Sequence, residues 1–387
     1  MIYLDNAATT SMDPEIITSL QGCMRDQFAN SGAVYGIGID AKKKIEEATE
    51  NIAFALGIPS SHNLVFTSGG TESNNLFIKG LCFPDKKTAY LGLEHPSITE
   101  TVLSFKKFGN EPFSLLKFNR QGRLDLSCLP LLKEKKIRLL CLSHVNNELG
   151  TINDPVLLID AMKKESPQTR LFLDGVQAVG KIKLNKCIWA GLAGYSLSAH
   201  KFHGPKGIGL LVYDSNLNLA PQLHGGKQQF GVRAGTLPVP LIMAFAQAIE
   251  LAIARQQKTQ EHLKKLQEHL IGGLNKLEIP ILYNSSYGEF QSPAIVNFRF
   301  PPVEAEVMVH HLEEKEIFAG IGSACSAHSK EPSKILMGMG LTEEQARCSL
   351  RVSFSQANTV TEIEKFLHVF AETYQKLLPT FKDRAVG

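Results

Sequence analysis

The chain has 387 residues, enough for two or three packed units rather than one core. Its hydrophobic fraction of 43% is ordinary, and 41 Lys and Arg against 38 Asp and Glu leave a formal charge of +3, which gives no reason to expect nucleic acid as a direct partner. Seven cysteines, odd in number, irregularly spaced and without a C-x-x-C pair, argue against a disulfide framework or a zinc site and for a reducing, cytoplasmic compartment. The start of the chain lacks a basic stretch followed by a long apolar run, and no apolar run is long enough to span a bilayer, so no membrane partner is expected. Lys42-Lys43-Lys44 sits beside Glu46 and Glu47, the pattern of a wet helix face.

Short apolar runs at 64–66, 89–91, 137–142, 171–173 and 208–212 alternate with amphipathic stretches. That alternation predicts an α/β fold with a mostly parallel sheet covered on both faces. Ligands in such sheets bind at the carboxyl ends of the strands. From 240 to 274 one long helix is predicted, with Ile242, Phe245, Ala246, Ile249, Ala252 and Ile253 at helical spacing. A second, smaller α/β unit follows from near Ile279. It has strands at 294–300 and 349–354, a helix at 304–316, a glycine-containing loop, and a last helix opened by Thr361 with Glu364 three residues on.

Three constellations carry chemistry. In Thr67-Ser68-Gly69-Gly70-Thr71-Glu72-Ser73-Asn74 a strand stops and a helix starts, so free N–H groups and the helix dipole suit an anion, while Thr71 as a plain cap is the other reading. Asp174 ends an apolar run, where a carboxylate needs a cation such as a protonated pyridine nitrogen, or else caps a turn; Gln177 lies on the same turn. Lys201 follows small and polar residues that include Ser198 and His200. A Schiff-base lysine must lose its proton, which desolvation and nearby cations favour, although most lysines are surface charges.

His95 and Arg351 are also singled out. His95 follows an apolar stretch that ends at Leu93. Arg351 lies in an apolar strand pattern and needs either a carboxylate ligand or an internal ion pair. Cys325 sits after Ala319-Gly320-Ile321-Gly322-Ser323-Ala324, a run of small residues suited to a moving nucleophile; a buried inert cysteine is the alternative.

These segments, in order, resemble cysteine desulfurases of the NifS/IscS type. The resemblance runs from Tyr3-Leu4-Asp5-Asn6-Ala7-Ala8-Thr9-Thr10 through Glu94-His95, Val145-Asn146-Asn147-Glu148-Leu149-Gly150 and Ser198 to Gly209. It continues through His224-Gly225-Gly226 and Arg233-Ala234-Gly235-Thr236 to Gly322-Ser323-Ala324-Cys325, nearly the whole chain. It implies a pyridoxal-phosphate (PLP) enzyme of fold type I, in the class V aminotransferase group, working as a homodimer. The large domain would cover 13–258; a small domain built from 1–12 and 259–387 would carry the cysteine loop. By matching position, Lys201 would bind the cofactor covalently and His95 would stack on its ring and assist proton transfer. Asp174 would pair with the ring nitrogen and Gln177 with the ring hydroxyl. Gly70, Thr71, Ser198 and His200 would hold the phosphate, with Thr236 supplied by the other subunit. Asn147 and Arg351 would bind the substrate carboxylate, and Cys325 would take the sulfur. No metal is implied.

Three departures from the family pattern stand out. Asn30-Ser31-Gly32-Ala33-Val34-Tyr35-Gly36 replaces an Asn-Pro-x-Ser segment followed by His, Ala199 replaces a common glycine, and Gly175 a common alanine. His328 and Lys330 add charge to the cysteine loop. The expected function is conversion of L-cysteine to L-alanine with a persulfide on Cys325. That sulfur would pass to an acceptor protein for iron–sulfur cluster assembly or tRNA thiolation. The alternatives are a selenocysteine lyase or other class V PLP enzyme, and a non-catalytic scaffold for a sulfur acceptor. The run Gly204 to Gly209 lacks the spacing of a P-loop.

Overall fold

The computed structural model describes residues 1–81, 87–109, 112–115, 117–284, 287–322 and 331–384. Cys325 lies outside the described residues. Among them are twelve strands: β1 (Ile2–Tyr3), β2 (His62–Thr67), β3 (Lys87–Leu91), β4 (Phe113–Leu115), β5 (Ile137–Ser143), β6 (Arg170–Asp174), β7 (Gly194–Ser198), β8 (Gly209–Asp214), β9 (Leu282–Tyr283), β10 (Ile295–Arg299), β11 (Ile317–Phe318) and β12 (Ser349–Ser353).

The large sheet has the order β2-β8-β7-β6-β5-β3-β4. Strands β4, β3, β5, β6 and β7 run parallel, and β8 is antiparallel to both β7 and β2. The carboxyl ends of β2, β3, β5, β6 and β7 therefore share one edge. Side chains alternate between two apolar layers, as a strand buried on both faces requires. In β5, Leu140 and Leu142 join a core with Ile52, Ile242 and Phe245. Leu139 and Cys141 point the other way, toward Phe77, Ile98 and Phe172.

A second core gathers Leu263, Leu266, Leu270, Phe298, Phe300, Phe366 and Phe370 around the antiparallel sheet β12-β10-β9. Ile2, Leu4 and Ala7 belong to this core, because β1 pairs with β11 from the far end of the chain.

Two sequence expectations need correction. The single helix expected at 240–274 is two helices, Val239–Ala254 and Gln256–Leu274, which meet at 67°. The break falls at Arg255, whose guanidinium donates to Asp13 Oδ2 at 2.6 Å and pairs with Glu15. The first half is packed into the larger core and the second half faces the smaller one. Periodicity continues across the bend, so the sequence shows one helix where packing requires two. Among the described residues no single helix is long and apolar enough to cross a membrane. The capping box of the last helix, Val360–Arg384, is formed by Thr359 and Glu362 rather than Thr361 and Glu364. Both pairs have the right spacing, and only the first sits at the chain's turn.

Phe370 stacks near Phe366 and meets Phe298 and Phe300 edge-on. Phe370→Ala should cost about 3–5 kcal/mol in urea unfolding of the smaller unit. A loss below about 1 kcal/mol would contradict this account of the core.

Candidate active site

At the shared strand edge lies a cavity of about 170 Å³. It is lined by Gly70, Thr71, His95, Asn147, Asp174, Gln177, Ser198, His200, Lys201 and Arg351, ten of the twelve residues the sequence singled out. Thr236 is not among the lining residues and is exposed. Ala7, Ala8, Ser97, Ser143, Val145 and Val176 complete the wall.

Asp174 closes β6 and is buried. Its Oδ2 accepts from Asn74 Nδ2 at 2.7 Å and its Oδ1 from the Val176 N–H at 3.0 Å. Those bonds to an anion are the strong kind. Asn74 Nδ2 also donates to Ser97 Oγ at 2.8 Å, and Ser97 Oγ lies 2.8 Å from His95 Nδ1. The Ser97 N–H donates to the same Nδ1, so this nitrogen is an acceptor. Burial lowers the His95 pKa first, and the Lys201 charge lowers it further against the opposing pull of Asp174. The neutral ring then carries its proton on Nε2. Asn74 and Ser97 thus tie Asp174 to His95. Sequence reasoning assigned neither a role, although Asn74 stands inside the quoted Thr67 to Asn74 segment.

A second buried carboxyl, Glu94, lies beside this network. Burial, with the Asp174 charge adding to it, pushes its pKa up to about 8 against the hydrogen bond from Ser143 Oγ. Glu94 is therefore protonated at neutral pH, while both Asp174 oxygens accept hydrogen bonds.

Behind Asp174, Tyr195 OH meets His144 Nδ1 at 2.7 Å. A Cβ on Gly175 would lie 2.0 Å from the Tyr195 ring. The departure at 175 thus has a steric cause: Tyr195 fills the space that an alanine there would use.

The cavity also carries basic side chains. Lys201 ends a short turn after β7, and its Nζ donates to Ala7 O at 2.6 Å and Ala8 O at 2.7 Å. His200 Nδ1 lies 3.0 Å from Thr9 Oγ1. Burial, then the charges of Lys201, Lys181 and Lys206, bring the His200 pKa down to about 4. Arg351 is 1% exposed; it donates through Nη2 to Asp5 Oδ1 at 2.6 Å and through Nη1 to Asn147 O at 2.9 Å. The internal ion pair expected as one alternative is present, and the guanidinium lines the cavity as well. Among the described residues, Arg351 Nε and Asn147 Oδ1 are buried without hydrogen-bond partners.

Residues 2–366 match the family Aminotransferase class-V. The chain belongs to this family. It is 35% identical to the cysteine desulfurase IscS of Dictyoglomus turgidum, over 97% of this chain and 95% of that protein. Among solved structures, a NifS-like protein superposes with a TM-score of 0.89 at 29% identity, covering 97% of this chain and 100% of the other. SspA in complex with cysteine gives a TM-score of 0.78 at 28% identity, covering 93% and 100%. The fold expected from sequence, fold type I of PLP-dependent enzymes, is the fold found.

The family cofactor is pyridoxal 5′-phosphate, and the cavity fits it. Its lining brings together a buried carboxylate, Asp174, with Lys201, His200 and the start of the helix Gly70–Leu81. A Cβ at Gly70 would come within 2.5 Å of Val176 Cγ2, on the cavity wall, so the helix start approaches the wall only as glycine.

Two outcomes follow from this packing. Gly175→Ala should lose about 1–3 kcal/mol by overpacking against Tyr195. The double variant with Tyr195→Leu should recover most of that loss in thermal unfolding, and no recovery would refute the steric account. The Glu94 carboxyl keeps its proton to about pH 8 in the folded chain, against an ordinary value of 4.5. Its stabilising contribution is whole below pH 4.5 and is lost as pH rises toward 8. Glu94→Gln should therefore flatten the fall in stability between pH 5 and 8, as read by urea titration at several pH values; an unchanged slope would remove Glu94 as its source.

Proposed function

We propose that this protein is a PLP-dependent cysteine desulfurase that takes sulfur from L-cysteine, leaves L-alanine and carries the sulfur on Cys325. The observation that supports it most is one cavity in which Asp174, Lys201, His95 and Arg351 converge, in a chain so similar to cysteine desulfurases over nearly its whole length. Bound there, pyridoxal phosphate would act as an electron sink for the amino acid attached to it.

The chain's own residues have separate tasks. Lys201 would hold the cofactor through its amine. Asp174, whose oxygens accept from Asn74 and the Val176 N–H, would partner the ring nitrogen. Gly70, Thr71, Ser198 and His200 would receive the phosphate and Gln177 would meet the ring oxygen; all line the one cavity. His95, with Nδ1 held by Ser97, presents its Nε2 proton to the reacting groups. Arg351 Nε, a buried donor with no partner among the described residues, supplies what a substrate carboxylate needs, and the Asn147 amide, on the same cavity wall, would meet it through its N–H groups. The Cys325 thiolate attacks the substrate sulfur: an S–S bond forms and the C–S bond breaks. Its electron pair returns to the β-carbon, which gains a proton. Cysteine plus thiol thus becomes alanine plus persulfide with no outside oxidant.

In this reading the protein works as a homodimer in which Thr236, exposed in the single chain, completes the neighbouring copy's phosphate site. Phe28, Val34, Tyr35, Ile37 and Ile39 leave an exposed apolar patch near the start of the helix Gly36–Leu56 that a second copy would cover. The sulfur then passes to an acceptor protein.

The test is incubation of the PLP-loaded protein with L-cysteine, measuring alanine and protein-bound persulfide. Wild type should yield both, and Cys325→Ala should keep the cofactor absorbance yet lose alanine formation by at least about 100-fold, the scale of a lost nucleophile. Alanine at the wild-type rate from Cys325→Ala, or persulfide on Cys348 instead, would overturn the assignment.

A further inference from the structure

Lys181 has had no part in the site so far. It is 7% exposed, and its Nζ donates to Gln177 Oε1. Gly180, at φ +74, turns the backbone so that Lys181 returns beneath Gln177. Gln177 Nε2 donates to Ala7 O at 2.8 Å, the same carbonyl that accepts from Lys201 Nζ at 2.6 Å. Lys181, Gln177, Ala7 and Lys201 thus form one hydrogen-bonded chain.

The environment of Lys181 is unusual for a lysine. Among the described residues no carboxylate lies within ion-pair distance of it, and its charged neighbours are Lys201 and Arg351. Burial, then those two cations, lower its pKa well below the ordinary lysine value. It also lines a second cavity of about 40 Å³, which Lys201 shares, on the side of Asp13 and Arg255. Charging a lysine buried there without a counter-ion is costly, and its amine keeps N–H donors in either state, so the position calls for a task. The task is visible in the amide of Gln177. A carbonyl can only accept, so Ala7 O requires Nε2; Lys181 Nζ offers N–H donors and takes Oε1. The two contacts fix which end of the amide faces the cavity.

We propose that Lys181 is a positioning residue of the active site, holding Gln177 so that its amide N–H groups, rather than its carbonyl, face Ala7 and the cavity. This rests on the proposed cofactor for the identity of the ligand that meets Gln177. Without Lys181, Oε1 is left buried and unpaired, and the amide loses one of its two constraints.

The test is a double-mutant cycle of Lys181→Met and Gln177→Ala in the full-length protein, read in two ways. Loaded with pyridoxal phosphate, Lys181→Met should shift the absorbance maximum of the bound cofactor in the same direction as Gln177→Ala, and the double variant should shift it no further. Without cofactor, the losses in urea midpoint from the two changes should likewise fail to add. A wild-type absorbance maximum in folded Lys181→Met, or additive effects in either reading, would overturn the proposal. Should Lys181→Met not fold, Lys181→Gln carries the same cycle, being polar but one atom too short to reach Gln177. If the wild-type protein bound no pyridoxal phosphate, the cofactor reading would fall, while the cycle without cofactor would still decide whether Lys181 acts through Gln177.

Discussion

A carboxylate that must find donors for both its oxygens inside an apolar sheet is the constraint from which the rest of this site follows. Asp174 lies at the end of β6 with apolar layers on both faces, where an unpartnered charge is costly. Asn74 and the Val176 N–H hold its two oxygens. Both of the donor hydrogens on Asn74 Nδ2 are committed, one to Asp174 and one to Ser97, and the bond from Ser97 fixes His95. One asparagine on a neighbouring helix therefore sets the anion and the imidazole in one frame. Glu94, a second carboxyl in the same region, is kept protonated by burial and by Asp174 itself. A second anion there would be desolvated and would meet the Asp174 charge, so Glu94 holds its proton.

The same cavity holds cations, and the N-terminal segment holds them in place. Asp5 pairs with Arg351; Ala7 O and Ala8 O accept from Lys201; the Thr10 N–H donates to His200 O. These few residues pack with the smaller core through Leu4 and Ala7 while touching the turn that follows β7 in the larger sheet. The ion pair and the lysine bonds thus come from one strip of chain laid between the two cores. A shift of either core would be felt at Lys201 and Arg351 together.

Much of this was legible in the sequence, and its limits are physical. The runs at 137–142 and 171–173 became β5 and β6 because a strand buried on both faces must be apolar throughout. Strand β7 escaped notice because Gly194-Tyr195-Ser196-Leu197-Ser198 has no such run, although all five residues are buried. Its serines and glycine are admitted by close packing: a Cβ on Gly194 would meet the Phe77 ring at 2.5 Å. The bend at Arg255 left no trace in the periodicity, because its cause is an ion pair to Asp13, far away in sequence. Most of the polar lining was found because it follows strand ends. Asn74, Ser97 and Lys181 were not assigned, because each acts through another side chain.

The pair of Gly175 and Tyr195 shows how such a site tolerates a change without losing its frame. Seen alone, Gly175 is merely a smaller residue after a critical aspartate, and more backbone freedom there would loosen Asp174. Tyr195 removes that freedom. Its ring occupies the volume next to Gly175, its hydroxyl meets His144 Nδ1, and the backbone N–H of the same His144 donates to the Asp174 carbonyl at 2.8 Å. Burial lowers the His144 pKa to about 4, so the imidazole is neutral and adds no charge behind the aspartate. Backbone restraint that a side chain at 175 would give locally is supplied instead from β7, through the Tyr195 ring, and from the His144 backbone, whose residue Tyr195 also holds by its imidazole; the Asp174 carboxylate sits between this support and Asn74.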